Sequence, residues 1–255
     1  MSFLRYIFKA FAKLVFFNIP YVDKLSVSYI IKKRLLPTIL THLDSQELKN
    51  IFFLPKSTFS SQINQDFFAL LMNDFKPGFF IEIGANDGFN LSNTYYLEKH
   101  YDWEGILIEA NPAYSENLKN RKAKAVIGAI SDEDEIFKFR DAGLYGGLEK
   151  TLDNSNPHQI KGKQSIEVQG KRLISILEAF QAPKVIDFIS IDVEGGELDV
   201  LKQIIKLEDY KFKSGCIEHN YRKEDKNAIK TILIESGFKI AWEGQTKHDF
   251  FFYSD

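Results

Sequence analysis

The chain has 255 residues, of which 44% are hydrophobic, and a formal net charge of −2 at pH 7. This length suffices for one α/β domain with a buried core and an appended segment. The near-neutral charge provides no general attraction to polyphosphate, which disfavours a nucleic-acid partner. Cys216 is the single cysteine, so an intramolecular disulfide is excluded and a reducing, cytoplasmic location is expected.

The N-terminal segment differs from the rest of the chain in charge. Residues 1–60 carry nine Lys and Arg against three Asp and Glu. Arg5, Lys9 and Lys13 recur every four positions in an apolar, aromatic sequence, a pattern typical of a helix at a membrane surface. A terminal helix packed on its own domain or on a second subunit would have the same pattern. We therefore expect residues 1–20 to contact either an anionic inner membrane face or protein, including a second copy of the chain. No uncharged run there approaches the roughly 20 residues that span a bilayer.

From residue 62 onward, apolar strand-like runs alternate with amphipathic helical stretches, which predicts a mostly parallel sheet with helices on both faces. We therefore divide the chain into a helical extension, residues 1–61, and one α/β domain, residues 62–255. The predicted strands are 79–83, 105–108, 125–130, 185–191 and 215–218, and the runs 238–243 and 249–253 are predicted to form an antiparallel closing pair. The predicted helices are 91–99, 113–120, 173–180, 198–205 and 226–236. Residues 141–165 interrupt the alternation and are expected to form either a lid over an acceptor site or ordinary surface.

The first motif, Glu82-Ile-Gly84-Ala-Asn86-Asp-Gly88, directly follows a predicted strand. Its glycines permit a tight turn and close approach of a ligand to the backbone. The dinucleotide fingerprint requires a third glycine, so a nicotinamide-dependent enzyme is disfavoured. S-adenosylmethionine carries an ammonium, a carboxylate and a sulfonium group. Its site requires an acid near the end of the first strand and exposed backbone N–H groups, which Glu82 and the turn through Asn86 would supply. A purely structural turn is the alternative.

Two further acids follow the next predicted strands. Glu109 lies twenty-one residues after Gly88, at the end of the second strand, where an acid accepts hydrogen bonds from ribose hydroxyls in nucleoside-binding α/β folds. It could equally cap the helix predicted to begin at Pro112. Asp132 follows the third strand and is expected either to accept a hydrogen bond from the exocyclic amine of adenine or to lie in a solvated turn.

The fourth and fifth predicted strands also end in polar residues. Asp192 and Glu194 follow the fourth strand, and Glu218 and His219 end the fifth. Since ligands bind beyond the carboxyl ends of parallel strands, these residues should face the same crevice as Glu109. Asp192, Glu194 and His219 are the candidate catalytic residues, with His219 either accepting a proton from a hydroxyl or making a structural hydrogen bond. These four residues could also hold a divalent cation such as magnesium or manganese.

Taken together, these motifs resemble those of the FkbM family of methyltransferases. The segments that carry the likeness are 65–66, 82–88, 91–94, 97–98, 103–105, 108–112 and 191–197. The resemblance covers about residues 62–253 and implies a class I methyltransferase fold, with a mostly parallel seven-stranded sheet and an antiparallel C-terminal strand. It further implies S-adenosylmethionine as the donor and O-methylation, commonly of sugar or polyketide hydroxyls.

Matched by motif position, the resemblance implies that Gly84 and Gly88 line the methionine and ribose part of the donor. It implies that Glu109 holds the ribose and that Asp192 and Glu194 border the reaction centre. We therefore expect an S-adenosylmethionine-dependent O-methyltransferase that acts on a sugar hydroxyl of a surface glycan, glycolipid or precursor. Since some animal relatives are membrane-tethered trafficking proteins, the alternative is a non-catalytic, membrane-associated binding protein with the same fold.

Overall fold

A seven-stranded sheet forms the centre of the protein in the computed structural model, which describes residues 60–152, 164–219, 223–243, 246 and 248–254. The expected N-terminal helix and its membrane contact lie outside these residues. None of the helices in the described ranges combines the length and apolar content that a membrane crossing requires.

The strands, in chain order, are β1 (Phe79–Ile83), β2 (Glu104–Glu109), β3 (Lys124–Ile127), β4 (Ala129–Ile130), β5 (Ile136–Asp141), β6 (Gly147–Leu148), β7 (Gln164–Lys171), β8 (Val185–Ile186), β9 (Phe188–Ile191), β10 (Lys211–Phe212), β11 (Ser214–Glu218), β12 (Lys239–Ala241) and β13 (Asp249–Tyr253). The main sheet has the order β12-β13-β11-β9-β1-β2-β3. Neighbours are parallel except at β13, which is antiparallel to both β11 and β12. The predicted α/β fold, with its antiparallel C-terminal strand, is confirmed.

The helices are α1 (Gln65–Met72), α2 (Tyr95–Tyr101), α3 (Ser115–Leu118), α4 (Leu173–Ala179), α5 (Glu197–Ile205) and α6 (Lys223–Glu235), with short 3-10 turns at Pro112–Tyr114 and Gly143–Tyr145. They cover both faces of the sheet. Successive side chains of each strand point to opposite faces, so each strand contributes to the packing on both sides. Ile81 and Ile189 pack with α4, α5 and α6 on one face, while Phe80 and Phe188 pack with α1 and α2 on the other.

Two predicted strands are each divided between sheets. The predicted strand 125–130 leaves the main sheet at Gly128, where an added Cβ would lie 2.9 Å from the carbonyl oxygen of Gln169, and its last two residues pair with β7. The predicted strand 185–191 divides similarly, with β8 paired to β10 and β9 in the main sheet. Only the second part of 185–191, which is β9, therefore belongs to the main sheet.

The region between β3 and α4 is more ordered than the sequence pattern predicts. The strands β4, β7, β5 and β6 form a second sheet in that order, held by a small core that includes Phe137, Phe139 and Val168. The part of the predicted loop 141–165 that the structure describes therefore contains β6 and a 3-10 turn. Residues 153–163 lie outside the described residues.

A buried arginine joins three segments around the carboxyl end of β1. Arg121 is 6% exposed, and its Nε donates to Glu98 Oε1 at 3.0 Å. Its Nη2 donates to Thr94 Oγ1 at 3.1 Å, and its Nη1 donates to the carbonyl oxygen of Gly88. Arg121 therefore fixes α2 and the turn after β1 to the segment that leads into β3.

We predict that Arg121→Met lowers the free energy of unfolding by about 3–5 kcal/mol, because it leaves the buried Glu98 carboxylate without its cation. The control is Lys119→Met, which removes an ion pair with Glu116 whose side chains are 67% and 78% exposed and should cost less than about 1 kcal/mol. Urea unfolding measures both values. Equal losses in the two variants would contradict the role given to Arg121.

Candidate functional site

A cavity of about 670 Å³ opens beyond the carboxyl ends of β1, β2, β9 and β11. This is where an open parallel sheet binds its ligands. Its wall includes the turn after β1, the loop before α2 and the residues that follow β9. The 3-10 turn Gly143–Tyr145 from the second sheet also lines it. The insertion between β3 and α4 therefore contributes to the cavity wall.

Four carboxylates and one glycine form a row across the strand ends. Ile83 of β1 pairs with Ile108 and Ile191, so the next residues, Glu109, Gly84 and Asp192, lie level with one another. Glu218 follows the Ile217–Ile191 pair and is itself paired with Asp249. Since neighbouring strands are about 4.8 Å apart, this register brings Asp192, Glu218 and Asp249 side by side.

Asp192 and Glu218 share a proton at the centre of this row. Together with Glu194, they offer carboxylate oxygens that lie within 4.8 Å of one another. Burial and the negative charge of Asp192 raise the pKa of Glu218 to about 11, and burial also raises the pKa of Asp192. Glu218 is therefore neutral at pH 7 and donates a hydrogen bond to Asp192. Its other oxygen, Oε2, is buried and has no hydrogen-bond partner among the described residues.

Two neighbouring acids titrate near neutral pH. Burial raises the pKa of Glu197 and of Asp249 to about 7. Glu197 accepts hydrogen bonds from the backbone N–H groups of Val193 and Gly195 at 3.1 and 2.9 Å, which fixes the turn that carries Glu194. Asp249 accepts from Gln65 Nε2 at 3.0 Å.

The wall of the cavity is strongly acidic. In the described part of the chain, Lys150 is the single Lys or Arg that lines it, against nine carboxylates. Such a wall produces a negative potential that favours a cationic ligand. The carboxylates are Glu82, Glu109, Asp132, Glu133, Glu135, Asp192, Glu194, Asp199 and Glu218.

Glu82 lies at the wall, but its oxygens are engaged by the loop before α2. They accept hydrogen bonds from Ser92 Oγ at 3.0 Å, from the backbone N–H of Asn93 at 2.7 Å and from Thr94 Oγ1 at 2.5 Å. Burial raises the pKa of Glu82, and the positive charge of Arg121 opposes this effect. These bonds explain why α2 begins at residue 95 instead of the predicted residue 91.

Glu109 fixes the turn that follows β1. Its Oε2 accepts from the backbone N–H of Asn86 and its Oε1 from that of Asn111, both at 2.7 Å. Each carboxylate oxygen has a second lone pair with which it can accept a ligand hydroxyl. Gly84 has φ +87°, and an added Cβ would lie 1.6 Å from the carbonyl oxygen of Asp192. Only glycine fits between β1 and the end of β9.

The remaining predicted residues occupy different places. Asp132 is exposed and lines the cavity, whereas Gly88 and His219 are not among its lining residues. Gly88 instead faces Leu118, whose Cδ2 would lie 2.7 Å from an added Cβ. His219 is 2% exposed and packs against the ring of Phe250. Burial, with the positive charge of Lys226, lowers the pKa of His219 to about 4, so it is neutral at pH 7.

Several lining residues were absent from the sequence-based set. Gln65, Asn93 and His248 line the cavity but do not follow a predicted core strand. Gln65 lies in α1, a helix that the sequence pattern did not predict. The segment before α2 contains a signal for Asn93, because Ser92, Asn93 and Thr94 are three consecutive polar residues that precede this helix.

The sequence model of the Methyltransferase FkbM domain matches residues 82–250. No curated protein sequence matches the chain. Among solved structures, a methyltransferase FkbM from Methylobacillus flagellatus KT has 14% identity and a TM-score of 0.47, with 99% of this chain and 60% of that longer chain covered.

Two further structures are similar to the chain. The O-methyltransferase from Bacillus cereus in complex with SAH has 13% identity, a TM-score of 0.42, and coverage of 88% of this chain and 94% of that one. The precorrin-6y C5,15-methyltransferase from Geobacter metallireducens GS-15 has 13% identity, a TM-score of 0.41, and coverage of 85% and 98%. Because the FkbM domain model matches well over half of the chain, the protein belongs to the FkbM methyltransferase family.

Proposed function

We propose that the protein transfers the methyl group of S-adenosylmethionine to a hydroxyl of a sugar in a surface glycan, glycolipid or precursor. The observation that carries the proposal is the glycine turn after β1, which Glu109 fixes in the wall of an acid-lined cavity. Membership of a methyltransferase family supports the donor and the reaction class. The sugar hydroxyl is the acceptor class that the resemblance to FkbM enzymes implies.

In this proposal the donor lies across the carboxyl ends of β1 and β2. The close approach at Gly84 and the backbone of Asn86 accommodate the methionine and ribose part. Gly88 packs against Leu118 and contributes to the site by setting the shape of the turn, not by contacting the donor. The free lone pairs of Glu109 accept the ribose hydroxyls, and Asp132 accepts from the exocyclic amine of adenine.

Methyl transfer then requires an in-line approach of the acceptor oxygen to the methyl carbon. The new O–CH3 bond forms as the C–S bond breaks, its electron pair stays on sulfur, and the hydroxyl proton passes to a base. We assign this role to Asp192, with Glu194 beside it. His219 is buried, has a pKa of about 4 and lies outside the cavity lining, so we assign it to packing against Phe250.

The three acids Asp192, Glu194 and Glu218 also have the chemistry of a divalent-cation site. Asp192, Glu194 and Glu218 offer the hard oxygen ligands that magnesium and manganese prefer. The unpartnered Oε2 of Glu218 fits such a ligand set. A bound cation would replace the proton shared by Asp192 and Glu218, and would polarise the acceptor oxygen. We therefore include magnesium in the donor titration.

Calorimetric titration with S-adenosylhomocysteine, with and without magnesium, tests the donor site. We predict that Glu109→Ala weakens binding roughly 10- to 100-fold, because hydrogen bonds to a charged group are lost. The control is Glu104→Ala at the exposed, opposite end of the same strand, which should bind as the unaltered protein does.

Equal affinities in both variants would contradict the assignment of the ribose to Glu109. Failure of the folded, unaltered protein to bind S-adenosylhomocysteine would favour the non-catalytic binding protein. Tighter binding with magnesium would support the cation site, and an unchanged affinity would favour the shared proton alone.

We further predict that binding of S-adenosylmethionine releases protons near pH 7. A sulfonium close to a carboxylic acid favours the ionised form of the acid and lowers the pKa of the acid. Glu197 and Asp249 have pKa values of about 7. Protons leave on binding, so affinity should increase as pH rises from about 6 to about 8. Binding heats in buffers of different ionisation enthalpy measure the release. S-adenosylhomocysteine, which lacks the sulfonium charge, should release fewer protons. Equal release by both compounds would contradict an effect of the sulfonium on the pKa of Glu197 and Asp249.

For the location of the enzyme, we propose peripheral contact with an anionic membrane through residues 1–20. The recurrence of Arg5, Lys9 and Lys13 among aromatic residues supports this contact. The full chain should co-sediment with liposomes that contain anionic lipid but not with neutral ones, and a variant without residues 1–20 should remain in the supernatant with both. If the full chain ignores anionic liposomes, this contact does not exist, and packing of the segment on protein becomes the better interpretation.

A further inference from the structure

Besides Glu218 Oε2, a second buried oxygen in the cavity wall has no hydrogen-bond donor among the described residues. Asn93 is 7% exposed and lines the cavity, and its Oδ1 is buried and unpartnered. A buried acceptor without a donor destabilises a folded protein. Such an atom in the wall of a binding cavity therefore indicates a place for a ligand N–H or O–H group.

The amide of Asn93 is held in one orientation by its neighbours. Its Nδ2 donates to Ser190 Oγ at 2.8 Å, and its backbone N–H donates to Glu82 at 2.7 Å. Ser190 Oγ also lies 3.4 Å from Cys216 Sγ. Since the amide group is planar and its nitrogen faces Ser190, Oδ1 points away from Ser190 and cannot use that hydroxyl as its donor.

Asn93 lies on the opposite side of β1 from Glu109. Its partner Ser190 belongs to β9, and Glu82 of β1 pairs directly with Ser190. Glu109 belongs to β2, which flanks β1 on the other side. A donor whose ribose contacts Glu109 and which crosses the glycine turn therefore has its amino-acid end on the side of β9, next to Asn93.

We propose that Asn93 Oδ1 accepts a hydrogen bond from the α-ammonium group of the bound donor, an inference that rests on the proposed function. The amino-acid end of the donor has two charged groups, and only the ammonium can donate. An amide oxygen repels a carboxylate but satisfies one of the three N–H donors of an ammonium. Asp192, two residues beyond the level of Ser190 and Glu82, adds a negative charge on the same side.

The test compares S-adenosylhomocysteine with its analogue in which hydrogen replaces the α-amino group, and with 5′-methylthioadenosine, which lacks the amino-acid part. All three are titrated calorimetrically into the full chain and into Asn93→Leu. We expect the unaltered protein to bind the desamino analogue roughly 10- to 100-fold more weakly than S-adenosylhomocysteine. Asn93→Leu should lose most of this preference, because only the charge of Asp192 remains to attract the ammonium, and should bind 5′-methylthioadenosine within about twofold of the unaltered protein.

A second variant, Asn93→Asp, retains an acceptor oxygen at this position and should still prefer S-adenosylhomocysteine over the desamino analogue. The inference is overturned if Asn93→Leu keeps the full preference of the unaltered protein. It is also overturned if the affinities for all three compounds fall by one factor, because Asn93 then acts only on the fold of the loop. If the unaltered protein binds none of the three, the proposed function fails and this inference fails with it.

Discussion

Burial of carboxylates at the carboxyl end of a parallel sheet is the constraint on which the site depends. A carboxylate that is buried away from water requires hydrogen-bond donors or a cation, and otherwise it takes up a proton and becomes neutral. Glu82 has three hydrogen-bond donors in the loop before α2 and the nearby charge of Arg121. Glu109 has two backbone N–H groups. Asp192 and Glu218 instead share a proton. The protein thus supplies hydrogen bonds or a positive charge to the acids that organise loops. Asp192 and Glu218, which line the cavity, hold a proton instead.

The same compensation shapes the loops that surround the cavity. The oxygens of Glu82 bind the segment before α2, those of Glu109 bind the turn after β1, and those of Glu197 bind the turn after β9. Glu82 and Glu109 belong to strands and Glu197 begins α5, so the sheet and this helix hold the loops in place through charged hydrogen bonds. Arg121 connects the first two of these loops through Thr94 and Gly88. A change in any one of these acids would therefore alter loop geometry as well as local charge.

The sequence predicted the main sheet because apolar runs such as Phe79–Ile83 are buried on both faces and end in glycines or acids. It also indicated that Asp192 and Glu218 converge, since both end parallel strands. The second sheet was missed although Phe137 and Phe139 alternate with the exposed Lys138; its polar neighbours made the run resemble a loop. The burial of His219 against Phe250 and the unpartnered oxygen of Asn93 could not be predicted, because both depend on packing between elements distant in the sequence.

The charge of the donor links binding to chemistry in the proposed reaction. S-adenosylmethionine carries a sulfonium charge that its product lacks, so the negative wall favours the substrate more than the product. While the sulfonium is bound, it lowers the pKa of Asp192 and keeps this carboxylate ionised to receive a proton. Methyl transfer removes the positive charge at the same time as the acceptor hydroxyl loses its proton. The pKa of the acids then rises again, so the proton remains on the cluster and the attraction that held the donor weakens. One set of buried acids can thus favour donor binding, accept the proton and promote product release, without His219 as the base.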